Sequence, residues 1–474
     1  MSYLNSFLNY EVHLQNVTSS SFTLDRMKQL LNLMGNPQNQ LKIIHVAGSK
    51  GKGSTCALVA HVLKEAGYRV GLYTSPHLYH YRERIRILGQ NAPSHSEIFP
   101  DAIEETDIEE TLGGMIAAIS AIESNPEWGA LTFFEVYTAI AFEYFRRQKV
   151  DIVVLEAGLG GRLDATNAAQ SSVAVITPIS LEHTSILGDT LQKIATEKAA
   201  IIKDFNQHVV IAPQDNSVKN IFEKRCEEFG IEPIWVDRQM KYQSLKQSLR
   251  GQVVRIEGQM ESYDSIHSPL IGRHQLVNMA VAVGVIECLQ KQGFIIPKDA
   301  VYQGFANIFW PGRFEVISAT RSVARSRHPP RFVADGGQNN PLIILDGAHN
   351  DASAKVLVET IKAVLPGRKV ILIFGISNDK NKNAMAKELE SIVEKVIATK
   401  SHHPRSGNIS EKELQEMFPG KESFRTENVE QALALINKET SSSDVILVTG
   451  SLFVVSDMRL EILKGKSECL HTKI

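Results

Sequence analysis

The chain has 474 residues, 43% of them hydrophobic, which at roughly 100–200 residues per domain is enough for two or three buried cores. Its 51 basic and 53 acidic side chains nearly cancel, so charge gives no reason to expect nucleic acid or a membrane surface as partner, and small molecules remain. Cys56, Cys226, Cys288 and Cys469 form no CxxC pair, which indicates neither a disulfide framework nor a zinc site and fits a reducing cytoplasm. The opening MSYLNSFLNYEVHLQ lacks the basic-then-apolar order of a signal peptide, and no apolar run is long enough to span a bilayer, so a soluble, unprocessed protein is expected.

In chain order, LKIIHVA (41–47) reads as a buried strand and the stretch from Gly53 to Ala66 as a helix, with DIVVLEA (151–157) and SSVAVIT (171–177) as further strands. Short β-branched runs alternating with helix-length segments predict a parallel sheet wrapped by helices. The segment 321–340, rich in Arg, Pro, Gly and Asn and without periodicity, reads as an exposed loop just inside a second domain, and as a solvated loop rather than an RNA contact. A second alternating series then runs through PLIILD from Pro341, a helical 351–365, KVILIFG (369–375), a helical 381–394, KVIAT (395–399) and DVILVTG (444–450). It predicts a second α/β unit.

The first strand breaks into HVAGSKGKGST (45–55) before its helix opens. Glycines let backbone N–H groups turn toward one point, the helix N-terminus adds partial positive charge, and Lys52 can neutralise phosphate oxygens. A triphosphate site on Gly48, Ser49, Lys50, Gly51, Lys52, Gly53 and Ser54 is therefore expected. The alternative is a plain Gly-rich turn, in which two lysines would repel each other without an anion. The spacing departs from G-x-x-x-x-G-K-[ST], because Gly53 stands where a magnesium-binding hydroxyl would follow the lysine. A Mg²⁺ ion bridging the phosphates must then take oxygen ligands from elsewhere in the chain.

GSKGKGST resembles the phosphate loop of the Mur ligase superfamily, and its glycine after the lysine resembles the folylpolyglutamate synthase and dihydrofolate synthase branch. Further blocks agree in order: TSPHL (74–78), FFEVYTAIAF (133–142), VLEAGLGGRLDATN (154–167), ITPISLEHTSILG (176–188), ATEKAAIIK (195–203), GRHQLVNMAVA (272–282), WPGRFEV (310–316), LDGAHN (345–350) and TGSLFVVSDMR (449–459). GSK stands where the family more often has GTN or GTK, a change that keeps a hydroxyl at Ser49. The resemblance implies an N-terminal P-loop ATPase domain with a mostly parallel sheet (1–309) and a smaller C-terminal Rossmann-like α/β domain (310–474). It implies ATP as co-substrate and two Mg²⁺ sites, with Ser75 supplying the missing hydroxyl, Glu156 bridging toward the second ion and His183 ligating it. The lysine matching Lys198 is carbamylated by CO₂ in related ligases. Asn278 and Arg313 are implied as nucleotide contacts, with Asp346 and His349 meeting the nucleotide from the second domain; catalytic work falls to Lys52, Lys198, Asp346 and His349. Asp346 also has the alternative reading of a helix N-cap.

The activity so implied joins L-glutamate to a folate-type carboxylate through an acyl phosphate, in a cleft that closes by hinge motion near residues 308–318. Leu163, Asp164 and Ala165 resemble branch members that also accept dihydropteroate, and Thr132 and Phe134 match residues lining that pocket. Phe134 can cover a flat pterin face and Asp164 can accept from its N–H groups, so a bifunctional enzyme acting on dihydropteroate and reduced folates is expected. The alternative makes Phe134 core packing and Asp164 a turn residue. His402, His403 and Arg405 read as a solvated loop, with contact to the incoming glutamate as the alternative. Rival functions are ligation to tetrahydrofolate alone, a cell-wall ligase, for whose uridine-binding domain the 47 residues before Gly48 are too few, and a nucleotide-binding protein without ligase activity. A monomer is expected.

Overall fold

Strands β1 (Ile43–Ala47), β2 (Val70–Tyr73), β3 (Ile85–Leu88), β4 (Ile152–Glu156), β5 (Val173–Ile176), β6 (His208–Ile211) and β7 (Ile234–Trp235) form one sheet in the order β3-β2-β4-β1-β5-β6-β7. Every residue of β1, β2, β4 and β5 is buried, as continuous apolar runs require when helices cover both faces. Only β3 runs antiparallel to its neighbour β2, so the parallel strands deliver their following loops to one edge. The chain leaves β1 for β2 on one side and later returns to β5 on the other, which makes the end of β1 a topological switch point, where open α/β sheets take their ligands.

The structure, a computed structural model, describes residues 2–10, 22–89, 99–318 and 341–471. The loop expected at 321–340 lies outside the described residues. Two compact units are present: Met1–Gln243 with Val254–His267 and Gln275–Ile308, and Ser244–Val253 with Ser268–His274 and Phe309–Ile474. In the first unit the helix Lys52–Glu65 is buried continuously from Ser54 to Leu63, so it is a central helix with little polar face. The helix Phe133–Arg147 starts with a capping box between Thr132 and Glu135, and Glu135 also holds the buried Arg26 guanidinium at 2.9 Å.

Strands β8 (Lys241–Ser248), β9 (Gly251–Glu257) and β10 (Ser262–Ser268) form a separate three-stranded sheet that the sequence reading misses. No residue of β8 is buried, so KYQSLKQS carries no apolar alternation to announce it. In the second unit β11 (Glu315–Ser318), β12 (Leu342–Leu345), β13 (Val370–Phe374), β14 (Val393–Ala398), β15 (Glu422–Arg425) and β16 (Val445–Thr449) form a sheet ordered β11-β12-β16-β13-β14-β15. It is parallel except at β11, and the expected second α/β architecture is thus present. The helix expected over 381–394 is shorter: Lys382–Leu389 is helical, a 3-10 turn follows, and Val393 already belongs to β14. Among the described residues no helix is long and apolar enough to cross a membrane.

Candidate active site

The phosphate loop closes the gap between β1 and the helix Lys52–Glu65 by positive backbone angles at Gly48 (φ 147°) and Gly51 (φ 86°). A Cβ on Gly48 would lie 1.9 Å from Thr177 Oγ1, and one on Gly51 would lie 2.2 Å from Asn278 Oδ1, so both glycines are fixed by neighbours as well as by conformation. Gly51→Ala is therefore expected to raise the KM for ATP by roughly tenfold or more, because the strained loop and displaced Asn278 no longer present their donors together. Steady-state kinetics with a parallel unfolding curve check this. Asn278 donates to Gln275 Oε1 at 3.0 Å, and Gln275 reaches Ser54 Oγ at 3.4 Å, so the helix Arg273–Lys291 supports the loop through a side chain that the motif reading did not single out.

Not every backbone donor of the loop faces outward. The N–H groups of Ser49 and Lys50 both donate to Pro178 O, at 3.0 and 3.1 Å, and Ser49 Oγ donates to Ser180 O. They tie the loop to the segment after β5, and the donors left for a phosphate are those of the first helical turn, beginning at Lys52, Gly53 and Ser54.

Two ammonium groups converge on one carbonyl: Lys52 Nζ and Lys198 Nζ donate to Gly48 O at 2.9 and 2.7 Å. Lys198 is 1% exposed, and its second acceptor is Glu182 Oε1 at 2.7 Å. Burial, opposed by Glu182 and aided by Lys52, pushes the Lys198 ammonium down to about 8. Burial raises the Glu182 carboxyl, but Lys198, Lys52, His183 and Lys50 outweigh it and hold the group at about 2. Glu182 is a residue that the sequence reading passed over, although it stands beside His183 in the same motif.

Glu156 ends β4, is 4% exposed, and accepts the Ser75 N–H at 3.0 Å. β2 and β4 are neighbours, so the sheet itself brings Ser75 and Glu156 together. His183 is exposed and sits in the left-handed region at φ 46°, an uncommon conformation for a non-glycine residue and one seen at functional sites. One carboxylate and one hydroxyl, completed by phosphate oxygens and water, make the donor set that Mg²⁺ accepts, so these residues fit the ion.

The residues expected around an acceptor are placed differently from one another. Phe134 is partly buried against Tyr73, with ring centroids 6.1 Å apart, and abuts Gly158, whose Cβ would lie 2.5 Å from its ring. Ala165 is 5% exposed. Thr132 spends its hydroxyl on the capping box, donating to Glu135 Oε2 at 2.8 Å. Asp164, 5% exposed, caps the turn Ala165–Ala168; its carboxylate takes Leu159 N–H at 2.7 Å, Thr166 N–H at 3.0 Å and the Thr166 hydroxyl, with Gly158 N–H also lowering its pKa. Burial still raises that pKa. The loop thus engages the Asp164 carboxylate with its own donors, and Asp164 anchors the loop.

In the second unit Asp346 follows β12 and accepts Phe314 N–H at 2.8 Å and Ala348 N–H at 2.9 Å. It is not the N-cap of the next helix; that position is Asn350, in a capping box with Ser353. Phe314 has φ 48°, so the Asp346 bond fixes a strained turn beside Arg313, whose Nη1 lies 2.9 Å from where a Cβ on Gly347 would stand. His349 Nδ1 pairs with Gly347 O at 2.9 Å. The polar cluster at 402–405 is engaged by its own unit: His402 with Asp457 at 3.1 Å, Arg405 with Asp379 at 2.7 Å, and His403 stacked on Phe453 at 3.6 Å.

Comparison with known proteins identifies the family. The Mur ligase middle domain family matches residues 108–286, and the Mur ligase glutamate ligase domain family matches residues 331–452. The chain is 31% identical to the dihydrofolate synthase/folylpolyglutamate synthase of Bacillus subtilis (strain 168), covering 92% of this chain and 94% of that protein. It is 31% identical to the folylpolyglutamate synthase of Lacticaseibacillus casei, over 93% and 95%. The crystal structure of Mycobacterium tuberculosis folylpolyglutamate synthase complexed with ADP and AMPPCP superposes with a TM-score of 0.79 at 28% identity, over 93% of this chain and 95% of that one. With relatives above 30% identity aligned over nearly their whole length, the chain belongs to the dihydrofolate synthase/folylpolyglutamate synthase family of Mur-type ligases.

Proposed function

We propose that this enzyme joins L-glutamate to the carboxylate of dihydropteroate and of reduced folates, using ATP and releasing ADP and phosphate. The observation that carries the reading is the convergence of Lys52 and Lys198 on the Gly48 carbonyl at a helix N-terminus, one strand away from Glu156. Lys198 is paired with the Glu182 carboxylate, whereas Lys52 Nζ donates to a neutral carbonyl, which suits a polyanion that takes up Lys52.

An ammonium and a carboxylate do not condense usefully in water, so the acid must first gain a leaving group. Transfer of the γ-phosphoryl group to the carboxylate oxygen supplies it, and attack by the glutamate amine then forms the amide and expels phosphate. In this reading the N–H groups of Lys52, Gly53 and Ser54 cradle phosphate oxygens, and Lys52 Nζ leaves Gly48 O to offset the charge that develops during transfer. Ser75 and Glu156, with His183 for a second ion, are the residues we assign to Mg²⁺, which when bound supplies positive charge across the phosphate oxygens. Gly48, Ser49, Lys50, Gly51 and Asn278 are assigned to the nucleotide site, and Arg313, Asp346 and His349 to nucleotide contact. Phe134 and Ala165 wall the acceptor site, while Thr132 and Asp164 shape it.

Lys198 is assigned to carbamylation: with its ammonium held at about 8, a sizeable neutral fraction is present near pH 7.5, and that amine adds CO₂ with loss of a proton. The carbamate would replace the bond to Glu182. Native mass spectrometry in bicarbonate is expected to show one added CO₂ in the wild type and none in Lys198→Ala; an unmodified wild type leaves Lys198 as the ammonium partner of Glu182.

We place the reaction in the cytoplasm, with the chain acting as a monomer and without nucleic acid. The test of function is ADP release from Mg-ATP and glutamate with no acceptor, with dihydropteroate and with tetrahydrofolate, product mass being read in parallel. Turnover and a one-glutamate mass gain with both acids are expected. Turnover with tetrahydrofolate alone would favour a second reading, supported by the engagement of Thr132 and Asp164 with the chain's own donors, in which dihydropteroate is not a substrate. Turnover with neither acid would sink both readings.

A further inference from the structure

A buried polar chain joins the strand that carries the phosphate loop to the loop that follows β4. His45 in β1 is 1% exposed, and its Nε2 lies 2.8 Å from Thr166 Oγ1; Thr166, itself 0% exposed, bonds to Asp164 Oδ1 through both its hydroxyl and its N–H. The direction of this chain follows from its far end. An ionised carboxylate only accepts, so the Thr166 hydroxyl gives its proton to Asp164, and its oxygen is left to accept from His45 Nε2–H. Burial, with Lys203 adding to it, pushes the imidazole down to about 3, so His45 is a neutral, single-tautomer donor under physiological conditions.

Asp164 in turn fixes the loop at its other end, through the Leu159 N–H at 2.7 Å. Gly158, the residue before Leu159, is the one against which the Phe134 ring packs, with no room for a side chain between them. The order of contact is therefore β1, His45, Thr166, Asp164, the 158–159 backbone, and Phe134. The helix Leu191–Ala199 holds the other face of the same loop, since a Cβ on Gly161 would meet Glu197 O at 2.7 Å.

We propose that His45 and Thr166 are positioning residues for the acceptor: through Asp164 they set the 158–166 loop and the Phe134 wall, and so govern how the folate-type acid binds without touching it. This rests on the reading above that Phe134 faces the acceptor. A merely structural role would lower stability and disturb ATP and acceptor alike, whereas the relay predicts a split between them.

Thr166→Val removes the hydroxyl at nearly constant shape, leaves a buried imidazole N–H without its acceptor, and is expected to raise the KM for dihydropteroate and tetrahydrofolate about tenfold. The KM for ATP is expected to stay within about twofold, and Thr166→Ser, which restores the hydroxyl, to return the acceptor KM to within about twofold of wild type. His45→Gln keeps an N–H donor and is expected to lie between wild type and His45→Phe; it also serves if the valine variant fails to fold. Phe134→Ala is measured beside them. If Phe134→Ala raises the acceptor KM and Thr166→Val does not, the relay is wrong and the acceptor wall stands. If Thr166→Val raises it and Phe134→Ala does not, the relay acts through the loop and the Phe134 assignment is wrong. Equal changes in the KM for ATP and for the acceptor, or no rescue by serine, overturn the proposal.

Discussion

Lys52→Ala is expected to lower kcat/KM for ADP formation by about 10³-fold while leaving the fold intact. Its Nζ donates to a carbonyl in a partly open loop, a contact that is replaceable by water, so little stability is lost with it. Its absence also removes one of the charges that hold the Lys198 ammonium down, so Lys198 in this variant is expected to be more fully protonated at neutral pH. The catalytic loss arises because transfer of the γ-phosphoryl group develops charge that a fixed cation offsets more effectively than mobile water does. Arginine is not expected to restore the rate, since a planar fork is a poor substitute for a compact charge in a tight glycine loop. Nucleotide binding by calorimetry, ADP release and thermal unfolding separate the outcomes. A higher KM with kcat unchanged would show that Lys52 only binds ATP and does not favour the transition state.

Several residues proposed for this site carry strong local signals in the sequence. β1, β4 and β5 are short buried runs rich in Ile and Val, and their carboxyl ends place Gly48, Glu156 and Thr177 on one edge of the parallel sheet. Glu156 and Ser75 come together because β2 lies beside β4, a pairing that the family resemblance implies and that periodicity alone does not reveal. What the sequence hides are roles that depend on where a hydrogen bond ends. Asp164 and Thr132 also close a turn and a helix start with their side-chain oxygens, engagements that only the placement of the Leu159, Thr166 and Glu135 N–H groups discloses. The same holds for Asp346, read as a possible N-cap while Asn350 takes that place and Asp346 secures the Phe314 turn. β8 went unseen because a strand with no buried residue has no hydrophobic period, and the helix at 382 ended early because Val393 and Val396 were wanted by the sheet.

In buffer free of CO₂, where Lys198 keeps its ammonium, Lys198→Met is expected to destabilise the enzyme by about 3 kcal/mol at pH 7, and the double variant Lys198→Met/Glu182→Leu to recover most of that loss while remaining inactive. The reasoning turns on how the pair contributes. Lys198 is held below the ordinary lysine value, so at neutral pH its burial works against folding; Glu182 is held below the ordinary carboxylate value, so its ionisation favours folding. The two groups act in opposite directions on stability, and the desolvation of both is offset only while they stay together. Deleting the lysine alone strands a mostly buried carboxylate without the ammonium that offsets its desolvation, and deleting both strands nothing. The pH dependence has a definite sign. Between about 8 and the ordinary lysine value the unfolded chain binds the Lys198 proton and the native state has released it, so wild-type stability gains from this group as pH rises through that window. In Lys198→Met that gain is absent. Urea unfolding of wild type and both variants at pH 7, 8 and about 10 measures each term, and a single variant as stable as wild type would mean that Glu182 does not depend on Lys198, leaving the lysine's place at Gly48 O to be explained by catalysis alone.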